Sequence, residues 1–243
     1  MSVVCRSHSQ LFLNGEAELK YLKHLVDPEK TAIDVGANHG VYSYWLARYA
    51  GKTIACEPHP SLAKYLESAF GDKIEVINAA ISDTDGEITL SVPGATGDEQ
   101  NYRGSIQAET VSGFADVTTY TVQMVTLDEI ASKNVGFIKI DVEGHENAVL
   151  RGAKRLLSED RPVILVEAEE QHRSNTVRDV REYLEQLDYA GFFCIGNSIR
   201  SIAEFDPLVH QNTSNDYGSE YINNLIFIPK EKSNSFINSR LTT

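Results

Sequence analysis

One segment, TAIDVGANHG at residues 31–40, constrains this chain more than any other. A short apolar run ends in an acidic residue and a glycine turn, then feeds the helical run VYSYWLARYA. A strand that turns on glycine directly into a helix is the βα junction of a nucleotide-binding α/β sheet. Gly36 and Gly40 permit the tight turning and close backbone approach that such a junction needs.

The same alternation continues down the chain. Residues 31–36, 53–57, 74–78, 137–141, 163–167 and 192–195 are apolar runs of a length that suits buried strands, and helical spacing fills the gaps between them. The clearest helix is 175–187, where Val177, Val180, Leu184 and Leu187 form one apolar stripe. A late run, 221–228, returns to β character after the loop 212–219 and stops at Pro229, which predicts a strand inside the sheet. The fold class that follows is α/β, a Rossmann-like, mostly parallel sheet with helices on both faces. At 243 residues and 42% hydrophobic content, the chain can bury one sizeable core. Residues 1–30 are expected to form an N-terminal helical extension, 31–229 the α/β domain, and 230–243 a flexible tail. From 81 to 127 the pattern changes to a turn at Asp85-Gly86, the strand EITLSV, a polar glycine-punctuated stretch and the strand-like VTTYTVQMV. Residues 93–117 are therefore an insertion, either a substrate-binding loop beside the ligand edge or a plain β-extension.

Charge and cysteines narrow the class. The 22 basic and 35 acidic residues leave a formal charge of −13, which argues against nucleic acid and anionic membrane as partners. Cys5, Cys56 and Cys194 are odd in number and widely spaced, so they suggest neither a disulfide framework nor a zinc site, and a reducing cytoplasm fits best. The opening residues MSVVCRSHSQ hold no signal-peptide core, and no 18 apolar residues run together.

The candidate ligand follows from charge. Glu57 ends the second strand in TIACEP, where a carboxylate can take both hydroxyls of a ribose. The loop Gly36-Ala37-Asn38-His39-Gly40 comes directly after Asp34, lacks a third glycine and carries no lysine or arginine. A dinucleotide pyrophosphate would be repelled there, whereas the ammonium and sulfonium of S-adenosylmethionine would be attracted. Asp34 and Glu57 could otherwise serve as helix-capping carboxylates. Further on, FIKIDVEGHE gathers Asp141, Glu143, Gly144 and His145 at one strand end, and VILVEAEEQH brings Glu167, Glu169 and His172 to the same edge. Ligand crevices of open α/β sheets lie beyond the carboxyl ends of the strands, so these groups should share a cavity with Asp34 and Glu57.

Roles within that cavity stay open at this level. His145 could accept a hydroxyl proton or be a first-turn helix residue, and the same choice holds for His172. Asp141 with Glu167 or Glu169 could hold a divalent cation, but carboxylates that bind sugar hydroxyls look the same, so no metal is assigned. His39 is expected in the pocket wall. Tyr42, Tyr44 and Trp45 are expected in the core, with one available to cover the ligand. His8, His24, His59 and His210 read as surface residues.

Taken together, DVGANHG, Glu57 with Pro58, NAAISDTDG, RGSI, VTLDEI, KIDVEGHE with VLRGA, and VILVE resemble, in order, the motifs of the FkbM-type methyltransferases, over nearly all of residues 31–228. The resemblance implies a class I methyltransferase fold for 31–229, S-adenosylmethionine as cofactor, and a small hydroxylated acceptor such as a sugar or secondary metabolite. It implies that Asp34, Gly36, Ala37, Asn38 and Gly40 form the methionine-binding loop, that Glu57 holds the ribose, and that Asn78 and Ala79 flank the adenine. By the same resemblance Asp141 would lie beside the methyl group and serve donor and acceptor together, with His145 or His172 as a candidate auxiliary base. Glu143, Glu167 and Ser105 of the RGSI motif fall on the acceptor side, and a homo-oligomer is compatible with the sequence. An NAD-dependent oxidoreductase would need a third loop glycine and a hydride-site motif, and neither is present. A non-catalytic nucleotide-binding module would lose the acceptor-side cluster, which is intact.

Overall fold

The structure is a computed structural model and describes residues 3, 17–93, 117–131, 133–196, 198–212 and 221–233. Apolar runs become strands because each can bury both faces: TAIDV forms β1 (Thr31–Val35) and KTIAC forms β2 (Lys52–Cys56). The other strands of the main sheet are β3 (Glu75–Ile77), β7 (Val135–Ile140), β8 (Val163–Glu167), β9 (Tyr189–Ile195), β10 (Ser198–Ser201) and β11 (Asn224–Pro229). Their order is β10-β9-β11-β8-β7-β1-β2-β3. The strands β3, β2, β1, β7 and β8 pair in parallel, whereas β11 pairs antiparallel with both β8 and β9. This is the mostly parallel, Rossmann-like sheet that the sequence predicts, reversing its winding at β1.

Strand alternation sends successive side chains to opposite faces. Ile33, Val35, Ile138 and Ile140 join one buried cluster with Leu150, Val180 and Leu184. Ala32, Phe137, Leu165 and Ile226 join the other with Leu22 and Leu46. The helices that carry these residues are α1 (Leu22–Leu25), α2 (Val41–Tyr49), α5 (Glu146–Arg151) and α6 (Thr176–Gln186); α3 is Pro60–Phe70, α4 Leu127–Ile130 and α7 Pro207–His210. The apolar stripe expected at 175–187 buries Val177, Val180 and Leu184 as a helix two residues shorter.

Three details depart from the sequence reading. A second, three-stranded sheet is built from β4 (Ala80–Ser82), β6 (Val117–Thr126) and β5 (Gly86–Pro93), with β5 and β6 antiparallel from Gly86↔Met124 to Pro93↔Val117. The insertion therefore leaves from the far end of a long hairpin, and its interior, 94–116, lies outside the described residues. The third strand ends early because Ala79 N–H donates to Ile77 O at 3.0 Å, which turns the chain at Asn78. Finally, residues 230–233, assigned to the tail, continue β11 as a helical turn that is tied down: Arg161 holds Glu231 bidentately at 3.0 and 2.8 Å, and Lys232 Nζ donates to Arg161 O. Among the described residues no helix is long and apolar enough to cross a membrane.

Candidate active site

A cavity of about 560 Å³ opens beyond the carboxyl ends of β1, β2, β7 and β8. At one end, the β1–α2 turn is fixed by backbone contacts. Gly36 has φ +79°, and a side chain there would place its Cβ 1.8 Å from Asp141 O, so this position accepts only glycine. Gly36 N–H and Ala37 N–H both donate to Cys56 O, at 2.9 and 3.1 Å, and Asp141 N–H donates to Val35 O at 2.9 Å. Three strand ends are thereby locked together.

Glu57 hangs over this turn, 5% exposed. Its Oε2 accepts Asn38 N–H at 2.7 Å and its Oε1 accepts His59 N–H at 2.8 Å. Burial pushes its carboxyl up to about 7, against the pull of those two hydrogen bonds. His59 caps α3, its Nδ1 accepting Ser61 N–H at 3.2 Å, and its ring lies 4.9 Å from that of Tyr120 on β6. Burial lowers the His59 pKa and so favours the neutral ring.

The middle of the cavity is bounded by Asp141, Val142, Glu143 and His145. Glu143 and Gly144 both have positive φ, +45° and +99°, and Gly144 N–H donates to the buried Glu146 carboxylate at 2.6 Å, which turns the chain into α5. His145 Nε2 lies 2.9 Å from Ser82 Oγ on β4, and burial depresses its pKa.

At the other end, β8 and the approach to β11 interlock through side chains. Asn223 Nδ2 donates to Glu167 Oε1 at 2.8 Å. Glu169 Oε2 accepts from Tyr221 OH and from Gln171 Nε2, both at 2.5 Å, while its Oε1 lies 3.4 Å from His172 Nε2. Burial alone would raise the Glu169 pKa, but the hydrogen bonds from His172 and Tyr221 outweigh it and hold the carboxyl at about 2. The bond to Glu169 raises the His172 pKa in turn. His145 and His172 therefore sit in opposite conditions.

Most of the residues singled out in the sequence converge here. Gly36, Asn38, Glu57, Ala79, Asp141, Glu143, His145, Glu167 and His172 line the cavity. Asp34 does not: it is 2% exposed, lies under the loop and accepts Ser43 Oγ–H at 2.5 Å. Burial pushes its carboxyl up to about 6. Ala37 and Gly40 shape the turn without lining the cavity, and Asn78 spends its side-chain amide on Glu57 O and Pro58 O at 2.8 and 3.0 Å. Ser105 lies outside the described residues. His39 is not in the wall either, and Tyr42, Tyr44 and Trp45 are all buried away from the cavity. His59, read from the sequence as a surface residue, is instead 4% exposed and lines the cavity, because it caps the helix that Pro60 starts. Gln171, Tyr221 and Asn223 carried no local signal. Among the described residues, no group of three or more His, Cys, Asp or Glu is arranged to hold a metal ion.

The methyltransferase FkbM from Methylobacillus flagellatus superposes with a TM-score of 0.56 at 17% identity, over 87% of this chain and 47% of that one. This chain thus spans about half the length of that protein. An O-methyltransferase from Bacillus cereus, solved in complex with SAH, superposes with a TM-score of 0.45 at 14% identity, over 93% of this chain and 87% of that one. No curated protein sequence matches significantly. The sequence profile of the Methyltransferase FkbM domain matches residues 34–190.

Proposed function

The chain belongs to the FkbM methyltransferase family, and from that premise we propose that it moves a methyl group from S-adenosylmethionine to a hydroxyl oxygen of a small uncharged acceptor, such as a sugar or secondary metabolite. The observation that carries this reading is a single cavity with Glu57 at one end and the His172–Glu169 pair at the other. Its volume is within the range of about 300–1,000 Å³ usual for small-molecule sites. Among the described residues it is lined by five carboxylates, Glu57, Asp141, Glu143, Glu167 and Glu169, and by no lysine or arginine. Such a wall suits a donor that carries an ammonium and a sulfonium, and it repels pyrophosphate and anionic acceptors. When bound, the donor supplies an electrophilic methyl group.

The chain's own residues divide the remaining work. Each Glu57 oxygen accepts one backbone N–H and keeps a lone pair, so the carboxylate can still receive two ribose hydroxyls. Asp141 stands between the two ends, where it can orient the methionine ammonium and an incoming hydroxyl. A free alcohol is a weak nucleophile at neutral pH, so a proton acceptor within reach assists. His172 suits that role better than His145, because a carboxylate orients its ring and strengthens it as a base, whereas His145 is desolvated and engaged with Ser82.

Turnover with labelled donor over a panel of neutral sugars, polyols and their phosphorylated counterparts tests the reading. Neutral acceptors should be methylated and phosphorylated ones refused. A base must be deprotonated to act, so kcat/KM should rise with pH through a midpoint above the ordinary histidine value of about 6.5. A midpoint below that value, abolished in His145→Gln, would transfer the role to His145. Loss of activity in chelator would instead call for a metal, and tight NADH binding without S-adenosylmethionine binding would overturn the proposal.

A further inference from the structure

Lys139 is fully buried in the middle of β7, and nothing in the chemistry above uses its charge. An ammonium removed from water is strongly unfavourable unless it is paired and hydrogen-bonded, so its surroundings require a reason. Register supplies its neighbours. Lys139 pairs with Asp34 on β1 and with Leu165 on β8, while Glu167 pairs with Asn224 on β11. Alternation then puts Lys139 and Asp141 on one face, with Glu167 on the same face two residues past Leu165. Lys139 Nζ lies 3.1 Å from Asn224 Oδ1, 3.4 Å from Ile140 O, and 3.8 Å from both Asp141 Oδ2 and Glu167 Oε2. The Tyr42 ring of α2 covers it at 4.9 Å, and the buried Asp34 carboxylate also feels its charge. A relay of amides closes the circuit: Asn224 Nδ2 donates to Asn223 Oδ1 at 3.2 Å, and Asn223 Nδ2 donates to Glu167.

We infer that Lys139 is a positioning residue whose ammonium, beneath the cavity floor, holds the donor-side carboxylate Asp141 and the acceptor-side carboxylate Glu167 at a fixed spacing. The terms donor and acceptor side rest on the methyl-transfer reading; the tie itself does not. Lys139 does not line the cavity, so it acts through its two partners. Without it, two carboxylates that share a strand-end edge with buried Asp34 would repel one another and swing apart. One buried charge thus couples the two halves of the site, and both partners keep their outer side open, at 36% and 21% side-chain exposure.

Lys139→Met keeps the length of the side chain and removes its charge. In the ligand-free full chain, a crystal structure of Lys139→Met should show the Asp141 and Glu167 carboxyls further apart than in the parent. S-adenosylhomocysteine affinity should fall about tenfold, and Glu167→Gln added to Lys139→Met should restore most of it by removing the repulsion that the ammonium balances. Asn224→Ala keeps every charge and frees the ammonium, and should move both readouts in the same direction by less. A lysine that only fills the sheet would lower the melting temperature and leave the carboxyl spacing unmoved, and that result overturns the inference. If Lys139→Met does not fold, parental spacing in Asn224→Ala overturns it equally. Failure of the parent chain to bind S-adenosylhomocysteine would break the donor reading alone, because the carboxyl spacing needs no ligand.

Discussion

The two ends of the cavity are held together by different kinds of contact. Around Glu57 the partners are backbone groups of the adjoining β1–α2 and β2–α3 turns: Asn38 N–H and His59 N–H on the carboxylate, and Gly36 N–H and Ala37 N–H on Cys56 O. Around Glu169 they are side chains, the local Gln171 and His172 together with groups far away in sequence: Tyr221 is 52 residues from Glu169, Asn223 is 56 from Glu167 and Asn224 is 85 from Lys139. A turn that presents N–H groups depends on a few φ/ψ values and tolerates little change. A network of side chains can be re-cut one residue at a time without disturbing the strands beneath it. On the proposed methyl-transfer reading, the Glu57 end is thus the donor end and the part that tolerates least change, and the Glu169 end is where acceptor specificity can vary.

That contrast can be broken most severely at Gly36. Gly36→Val forces a Cβ against Asp141 O and a β-branched residue into positive φ. The expected loss is about 3 kcal/mol or more of stability together with all donor binding, read by thermal unfolding and calorimetry. A stable variant that still binds S-adenosylhomocysteine would show that the turn is not the rigid half.

Asp34 sharpens the comparison, because it belongs to the donor end yet faces inward. Its folded pKa of about 6 lies above the unfolded value near 3.8. The contribution of this group to stability is therefore fully present below about pH 4 and is lost as pH rises through 6. Asp34→Asn keeps the Ser43 partner and removes that ionisation, so it should melt higher than the parent at pH 8, by about 2–3 kcal/mol at most, and equally near pH 4. If donor affinity collapses instead while stability is unchanged, Asp34 faces the ligand after all.

The mildest probe is at the other end. Tyr221→Phe removes one of the hydrogen bonds on Glu169 and leaves Gln171 and His172 in place. It should cost about 1 kcal/mol, roughly fivefold in turnover, with donor affinity essentially unchanged. An equal fall in donor affinity would mean that the two ends do not act separately.

The sequence by itself determined the elements whose causes are local. Alternating apolar runs gave the strands, the spacing of Val177, Val180 and Leu184 gave a helix, and Gly36 gave the turn, because periodicity and φ/ψ limits act over a few residues. It also placed Glu57, Asp141, Glu143, Glu167 and His172 at one edge, since strand ends of a parallel sheet share a side. Which way those side chains point was a different matter. Asp34 turned inward to Ser43 and Asn78 turned to the backbone beyond Glu57, outcomes set by what packs above each strand end. Lys139 was in plain view inside KIDVEGHE, flanked by apolar residues, but a buried cation has meaning only once its partners are known. Those partners arrive through β11, which slots antiparallel beside β8 from the far end of the chain. Strand order and register are fixed by global packing, so only the tertiary structure could bring Tyr221, Asn223 and Asn224 to the site.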